Sequence, residues 1–258
     1  MPMSSSVSKH TGPQMNVHLI HGWGMHSGFW GPLAERLQGD GYRPHLISLP
    51  GHGGVPPLPR NDLMALTHAL AKRIDRPGRL IGWSLGGTVA LMIAATYPER
   101  VTGLILTGTS PCFVQRPDWP HGMLDSTFAD FRARIQTDPG RALNWFLGLQ
   151  IQGSAYERQT LRELRRLIGE APTTNTKTLL EDLDILKDND LRTTLSQINA
   201  PVIVIHGERD VLVPIAAVEH LVAELPDARL MSTEGAGHAP FLSHPDVFYS
   251  ALRGALNA

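Results

Sequence analysis

Residues 79–91 read RLIGWSLGGTVAL, and no other stretch restricts the possible folds so tightly. A short run, Arg79-Leu80-Ile81, breaks at Gly82-Trp83-Ser84-Leu85-Gly86-Gly87, and a second apolar run from Val89 to Ala95 follows at once. Such a strand-like run, a glycine-rich seam and a helix-like run form one strand–turn–helix unit. Gly82-x-Ser84-x-Gly86 at that seam is the nucleophile-elbow pattern. Side chains flanking the serine would clash in so tight a turn, hence a glycine two residues to either side. The geometry lifts the hydroxyl above the sheet, near the positive end of the following helix. Glycine and serine are also common in plain turns, so the seam needs partners elsewhere in the chain.

The surrounding organisation suits it. Strand-like runs are expected at Val17–His21, Pro44–Leu49, Arg79–Gly82, Val101–Thr107, Val202–His206 and Ala228–Ser232. Several are almost continuously apolar, as parallel strands covered on both faces should be. Leu63, Leu66, Leu70 and Ile74 share one helical face, and Thr88–Tyr97 is apolar nearly all round, which predicts a helix against mid-sheet. Strands alternating with helices imply an α/β fold with right-handed crossovers. The alternation lapses over residues 111–190, which predict a helical cap inserted between two strands, with residues 15–110 and 191–258 as the core. Phe128, Phe131, Ile135, Trp145, Phe146 and Leu149 are its expected contacts with the sheet domain. Residues 1–14 are polar, lack the apolar core of a signal peptide, and read as a loose start.

Two later loops supply partners for Ser84. Pro201-Val-Ile-Val-Ile-His-Gly207 reads as a strand with Glu208-Arg209-Asp210 at its C-terminal end. Gly235-Ala-Gly-His238-Ala-Pro-Phe241 is a glycine-rich loop just beyond another strand. Serine, acid and histidine thus occur in that order, each past a strand's C-terminal end, and a parallel sheet gathers those ends on one edge. There His238 takes the serine proton and returns it to the leaving group, while Asp210 holds the imidazole tautomer. Glu208 and Glu234 are the other acids in reach. Asp210 is preferred because Val-Leu-Val-Pro214 follows it, a segment leading into a helix that would fix its direction.

Acyl transfer also needs donors for the developing oxyanion. Leu85 offers its backbone N–H at the helix start, and Trp23, in the loop His21-Gly-Trp-Gly24, offers a second N–H with its indole as pocket wall. The spacing Gly22-x-Gly24-x-x-x-Gly28 differs from a dinucleotide loop, and no P-loop is present. Among twelve histidines there is no H-E-x-x-H and no Cys/His cluster. His21 and His206 read as partners for loops, and His52 as a turn residue. No metal and no cofactor is expected. A net charge of -1 gives no general attraction to nucleic acid or to anionic membranes, and no apolar run has the roughly 20 residues needed to span a bilayer. The single Cys112 excludes an internal disulfide and suits a reducing compartment, so a cytoplasmic monomer is the simplest expectation.

Taken together, His21-Gly-Trp-Gly24, Gly82-Trp-Ser-Leu-Gly-Gly87, Ser110-Pro-Cys-Phe113, Asp118-Trp-Pro120, Phe146-Leu-Gly-Leu-Gln150 and His238-Ala-Pro-Phe-x-Ser-His-Pro245 resemble the α/β-hydrolase superfamily. Within it the chain is similar to the pimeloyl-[acyl-carrier protein] methyl ester esterases of biotin synthesis. The resemblance implies an α/β-hydrolase fold, a mostly parallel sheet flanked by helices with an inserted helical cap. It implies cleavage of a methyl ester at the end of a pimeloyl chain carried on acyl-carrier protein. It also implies that Phe146, Leu147, Gly148, Leu149 and Gln150 line the acyl site.

An acidic carrier with a phosphate-linked arm suits guanidinium groups. Arg158, Arg162, Arg165 and Arg166 fall on one helix face, opposite Leu161, Leu164 and Ile168, with Glu157 and Glu163 diluting their charge. Arg141 is a further docking candidate; Trp145, one turn on, stands where the family can carry arginine. A general short-chain carboxylesterase, and a ligand receptor on the same fold, stay open as alternatives.

Overall fold

The computed structural model describes residues 15–257, so the expected loose segment at 1–14 lies outside the described residues. The chain runs β1 (Asn16–Ile20), α1 (Gly31–Gly39), β2 (Arg43–Ile47), α2 (Leu63–Ala71), β3 (Gly78–Trp83), α3 (Leu85–Thr96) and β4 (Val101–Thr107). Four helices follow without an intervening strand: α4 (Asp125–Thr137), α5 (Pro139–Leu149), α6 (Glu157–Ile168) and α7 (Thr176–Asp188). The sheet then resumes with β5 (Val202–Gly207), α8 (Ile215–Glu224) and β6 (Ala228–Thr233), and the chain ends in α9 (Pro240–Ser243) and α10 (Pro245–Leu256).

The six strands form one sheet in the order β2-β1-β3-β4-β5-β6, and every pairing is parallel. Strand order reverses between β1 and β3, the place where open α/β sheets leave a crevice beyond their strand ends. Burial of all but one residue in each of β1, β3 and β4 explains their apolar runs. The edge strands β2 and β6 are half covered and mix polar with apolar residues.

Helix α3 is buried almost all round, as expected of a helix against mid-sheet, and it begins at Leu85, directly after the elbow serine. Gly86 and Gly87 have poor intrinsic helix propensity. Packing overrides that preference, because a Cβ at Gly86 would collide with the backbone carbonyls of Ile20 and His21. Helix α2 ends at Ala71, so Ile74 extends the buried face from the following turn, where it is 1% exposed.

The insert returns to where it left. Leu191 N–H donates to the Pro111 carbonyl at 2.8 Å, and Cys112 bridges Asp190 in antiparallel fashion. Its ends are thus fastened at the C-terminal edge of the sheet, leaving α4–α7 above the crevice. Among the described residues, no helix is long and apolar enough to cross a membrane, and no group of three or more His, Cys, Asp or Glu could hold a metal ion.

Candidate active site

Ser84 joins β3 directly to α3 with φ 55° and ψ −120°, and is the one non-glycine residue with positive φ among the described residues. Non-glycine side chains adopt this region only where the surrounding structure imposes it. Here Ser84 N–H is held by the Thr107 carbonyl at 3.0 Å, and its own carbonyl accepts from Gly87 N–H at 2.8 Å and Thr88 N–H at 3.1 Å. A Cβ at Gly82 would lie 2.5 Å from Gly87 Cα, so the elbow closes only over glycine.

Asp210 and His238 meet across the β5 and β6 loops. Asp210 Oδ1 accepts the N–H groups of Leu212 at 2.9 Å and Val213 at 3.0 Å. Its Oδ2 faces His238 Nδ1 at 2.8 Å. The segment after Asp210 therefore fixes its direction, as its sequence suggested. Burial works to raise the Asp210 carboxyl, but His238, His206 and the Val213 N–H outweigh it and hold the group below its ordinary value. Since Nδ1 must donate to a carboxylate, a neutral His238 presents a lone pair at Nε2. That atom is buried and has no hydrogen-bond partner among the described residues.

Both main-chain groups of His238 are tied. Its N–H donates to the Gln150 carbonyl at 2.8 Å, and its carbonyl accepts the Trp83 indole N–H at 3.0 Å. The other acids in reach are exposed: Glu208 accepts from Ser232 Oγ at 2.8 Å, and Glu234 points to solvent. His206 Nε2 donates to the Val213 carbonyl at 2.9 Å. His21 accepts Leu49 N–H at Nε2, leaving Nδ1 to donate to the Gly22 carbonyl at 2.8 Å. Both are loop partners.

Trp23 lies in the loop after β1 and Leu85 at the first position of α3, where a helix leaves its N–H groups without intrahelical acceptors. Neither N–H is taken by another group of the described residues. The Trp23 indole donates to the Leu179 carbonyl of α7 at 2.8 Å and packs edge-on against Phe131 and Phe146. The insert thereby holds this loop.

Beside Ser84 lies a slot of about 30 Å³, its walls supplied by Trp23, Phe113, Met123, Phe128, Phe131, Trp145, Phe146, Leu149, Leu183, Leu186 and Leu212, with Thr127 the other polar lining residue. A water needs roughly 10–15 Å³ by this measure. Of residues 146–150, Phe146 and Leu149 are walls of this slot, and Leu147, Gly148 and Gln150 are not. On a helix, residues three or four apart share a face and consecutive ones do not. Leu147 faces a separate cavity of about 240 Å³, and Gln150 is fully buried behind the His238 loop. Phe128, Phe131 and Trp145, expected to pack on the sheet domain, are slot walls, and Trp145 remains 41% exposed. Phe113, Met123, Leu183, Leu186 and Leu212 were not anticipated.

Arg158, Arg162 and Arg165 are exposed on α6 and free of ion pairs among the described residues. Arg166 is exposed too, but it forks onto Glu163, at 2.7 and 3.0 Å, and also pairs with Glu170 on the same helix. The buried face of α6 is Thr160, Leu164 and Leu167, with Leu161 and Ile168 only partly covered. Arg141 lines an outer groove of about 570 Å³, which shares Trp145 with the slot. Arg134 lies over the Trp145 ring at 5.4 Å and brings a positive charge to the place where the sequence lacks arginine.

A sequence model of the alpha/beta hydrolase family matches residues 19–251. The chain is 42% identical over 254 residues to the pimeloyl-[acyl-carrier protein] methyl ester esterase of Nitrosomonas europaea, covering 97% of this chain and 99% of that one. It is 41% identical to the enzyme of the same name from Xylella fastidiosa strain M12, covering 91% and 92%. Among solved structures it resembles an esterase from Exiguobacterium antarcticum, with a TM-score of 0.88 at 24% identity over 96% of this chain and 93% of that one. The enol-lactonase from Burkholderia xenovorans LB400 superposes with a TM-score of 0.83 at 19% identity, covering 97% and 94%. At those identities the likeness extends to the fold alone.

Proposed function

The chain belongs to the alpha/beta hydrolase family, and from that premise we propose that it is a serine carboxylesterase hydrolysing the methyl ester of pimeloyl-[acyl-carrier protein]. The observation that carries the reading is Ser84, on a strained elbow, opening into an apolar slot built by the insert. A methylene chain fits such walls, and two relatives with this likeness across the insert bear that activity in their names. In the division we propose, residues 111–190 act as the cap that shapes the acyl site.

His238 Nε2 takes the Ser84 proton as Oγ attacks the ester carbonyl carbon. Trp23 and Leu85 N–H groups receive the oxyanion of the tetrahedral intermediate. Collapse expels methoxide, which leaves as methanol with the proton from His238. Water, deprotonated by the same histidine, then attacks the acyl-serine; the proton returns from His238 to Ser84, and the released acid gives up its remaining proton to solvent and departs as the carboxylate. The chemistry needs neither metal nor cofactor.

The carrier is the proposed partner, met by Arg141 at the outer groove and by Arg158, Arg162 and Arg165 on α6. The enzyme is read as a cytoplasmic monomer with no role for nucleic acid or membrane. The direct test compares pimeloyl-carrier-protein methyl ester with a p-nitrophenyl ester. Turnover of both, with the carrier ester preferred, is expected. Turnover of the small ester alone would leave a general carboxylesterase, and turnover of neither would leave a receptor.

Reversing charge at Arg158 and Arg162 together should lower kcat/KM for the carrier ester by about tenfold or more, mainly through association. The small ester should be unaffected. Equal turnover of the carrier ester by wild type and variant would remove α6 from the docking surface.

A further inference from the structure

Below the insert, a buried polar contact joins it to the core away from the ester chemistry. His52, in the turn after β2, and Asp182, on α7, are both fully buried, with Nε2 and Oδ2 3.4 Å apart. Neither of these two atoms makes a hydrogen bond among the described residues, so each is the other's nearest polar group at 3.4 Å. The opposite sides of both groups are occupied. His52 Nδ1 lies 3.3 Å from the Pro50 carbonyl, and Asn61 Nδ2 donates to Asp182 Oδ1 at 2.7 Å. A carbonyl only accepts, so Nδ1 carries the ring hydrogen and Nε2 of the neutral ring offers a lone pair. A carboxylate would set a second lone pair against it at 3.4 Å, with both groups fully buried.

We propose that Asp182 is held as the neutral carboxylic acid and donates its proton to His52 Nε2, making a bridge that positions α7 over the active site. The surroundings favour the neutral pair. Burial pushes the Asp182 carboxyl up to about 8 despite the Asn61 bond, with Glu181 beside it adding to the rise. Burial likewise takes His52 down to about 4, with His26 adding to the fall against the Pro50 bond. His21, whose ring is 5.3 Å from that of His52, is also held well below its ordinary value by burial. His26 accepts Gly28 N–H at Nδ1 and so turns an N–H toward the Leu167 carbonyl, 2.7 Å from its Nε2. No arginine or lysine pairs with Asp182 among the described residues.

The same stretch of α7 explains what the bridge positions. Leu179, one turn before Asp182, accepts the Trp23 indole N–H. Leu183 and Leu186 line the slot beside Ser84. Asp182 is thus a positioning residue, acting through Trp23 and the slot wall without touching substrate.

Asp182→Asn keeps both bonds, since its amide donates to His52 and accepts from Asn61. Hydrolysis of the small ester at pH 7 should stay within about threefold of wild type. Asp182→Ala, which strands His52, should lose about tenfold or more in kcat at the same pH. Wild type should also lose activity as pH rises through about 8, a limb the Asn variant lacks. Stability follows the same sign. A raised carboxyl gives stability that is full below its unfolded value near 4 and lost as pH rises through the folded value. Wild-type Tm should therefore fall relative to the Asn variant from about pH 4, and the gap should stop widening above about 8.

The readout that needs no variant to fold is a carbon-13 titration of the Asp182 carboxyl in wild type. A midpoint near 8 supports the proposal, and one near 4 overturns it. An Asn variant as impaired as the Ala variant would also overturn it, because an ion pair and not a shared proton would then hold α7. These titrations and melting curves do not depend on the identity of the ester, so their failure is distinct from failure of the proposed function.

Discussion

Ser84→Ala is expected to lower hydrolysis of both the small and the carrier-bound ester by on the order of 10⁵–10⁶-fold, the loss typical when a serine nucleophile is removed. The fold should survive. Ser84 Oγ makes no hydrogen bond among the described residues, so its removal strands no partner, and the alanine keeps the same Cβ. Labelling by a fluorophosphonate should vanish with the activity. What rate remains would come from the Trp23 and Leu85 N–H groups acting on a water attack. Ser84→Gly separates strain from chemistry. A non-glycine residue at φ 55° costs about 1–3 kcal/mol, whereas glycine costs about 0.5–1 kcal/mol in chain entropy. Relief of strain is the larger, so the glycine variant should be equally inactive yet melt higher. Retention of most activity in either variant would remove Ser84 as nucleophile.

The inner strands were legible because a parallel strand covered on both faces is an apolar run, and the half-covered edge strands β2 and β6 because short apolar stretches of strand length lie between helical segments. The elbow was legible for a different reason: Gly82, Ser84 and Gly86 answer to local backbone collisions. The start of α3 at Leu85 was legible from the elbow, although Gly86 and Gly87 have poor helix propensity that tertiary packing overrides. Helix α10 is legible from its own spacing, with Phe248, Tyr249, Leu252, Ala255 and Leu256 on one buried face. The ion pairs of Arg166 were legible, since Glu163 and Glu170 stand three and four residues away on its own helix. The slot was only partly visible. Phe146 and Leu149 came with the family likeness, but Phe113, Met123, Leu183 and Leu212 arrive from four separate segments that only the folded insert brings together. Nothing local couples His52 to Asp182. Each is an ordinary polar residue until the insert closes over the core.

Asp210→Asn should reduce kcat by about 10⁴-fold at neutral pH, while the protein still folds. Asp210 Oδ1 already holds two backbone N–H groups, from Leu212 and Val213. The asparagine carbonyl oxygen must stay there, because the amide nitrogen cannot accept. Its NH2 is then forced into the place of Oδ2, 2.8 Å from His238 Nδ1, and donates to it. That reverses the imidazole tautomer, moving the ring hydrogen to Nε2, where a lone pair is needed to take the serine proton. No imidazolium can be stabilised either, since two donors would face each other at Nδ1. Because the fault lies in proton transfer, the small and the carrier-bound ester should suffer alike, unlike the α6 charge reversals, which should spare the small ester. KM should change little. Steady-state kinetics on both esters decide the matter. A variant within tenfold of wild type would mean that another acid orients His238, whereas loss confined to the carrier ester would place Asp210 in docking and not in the chemistry.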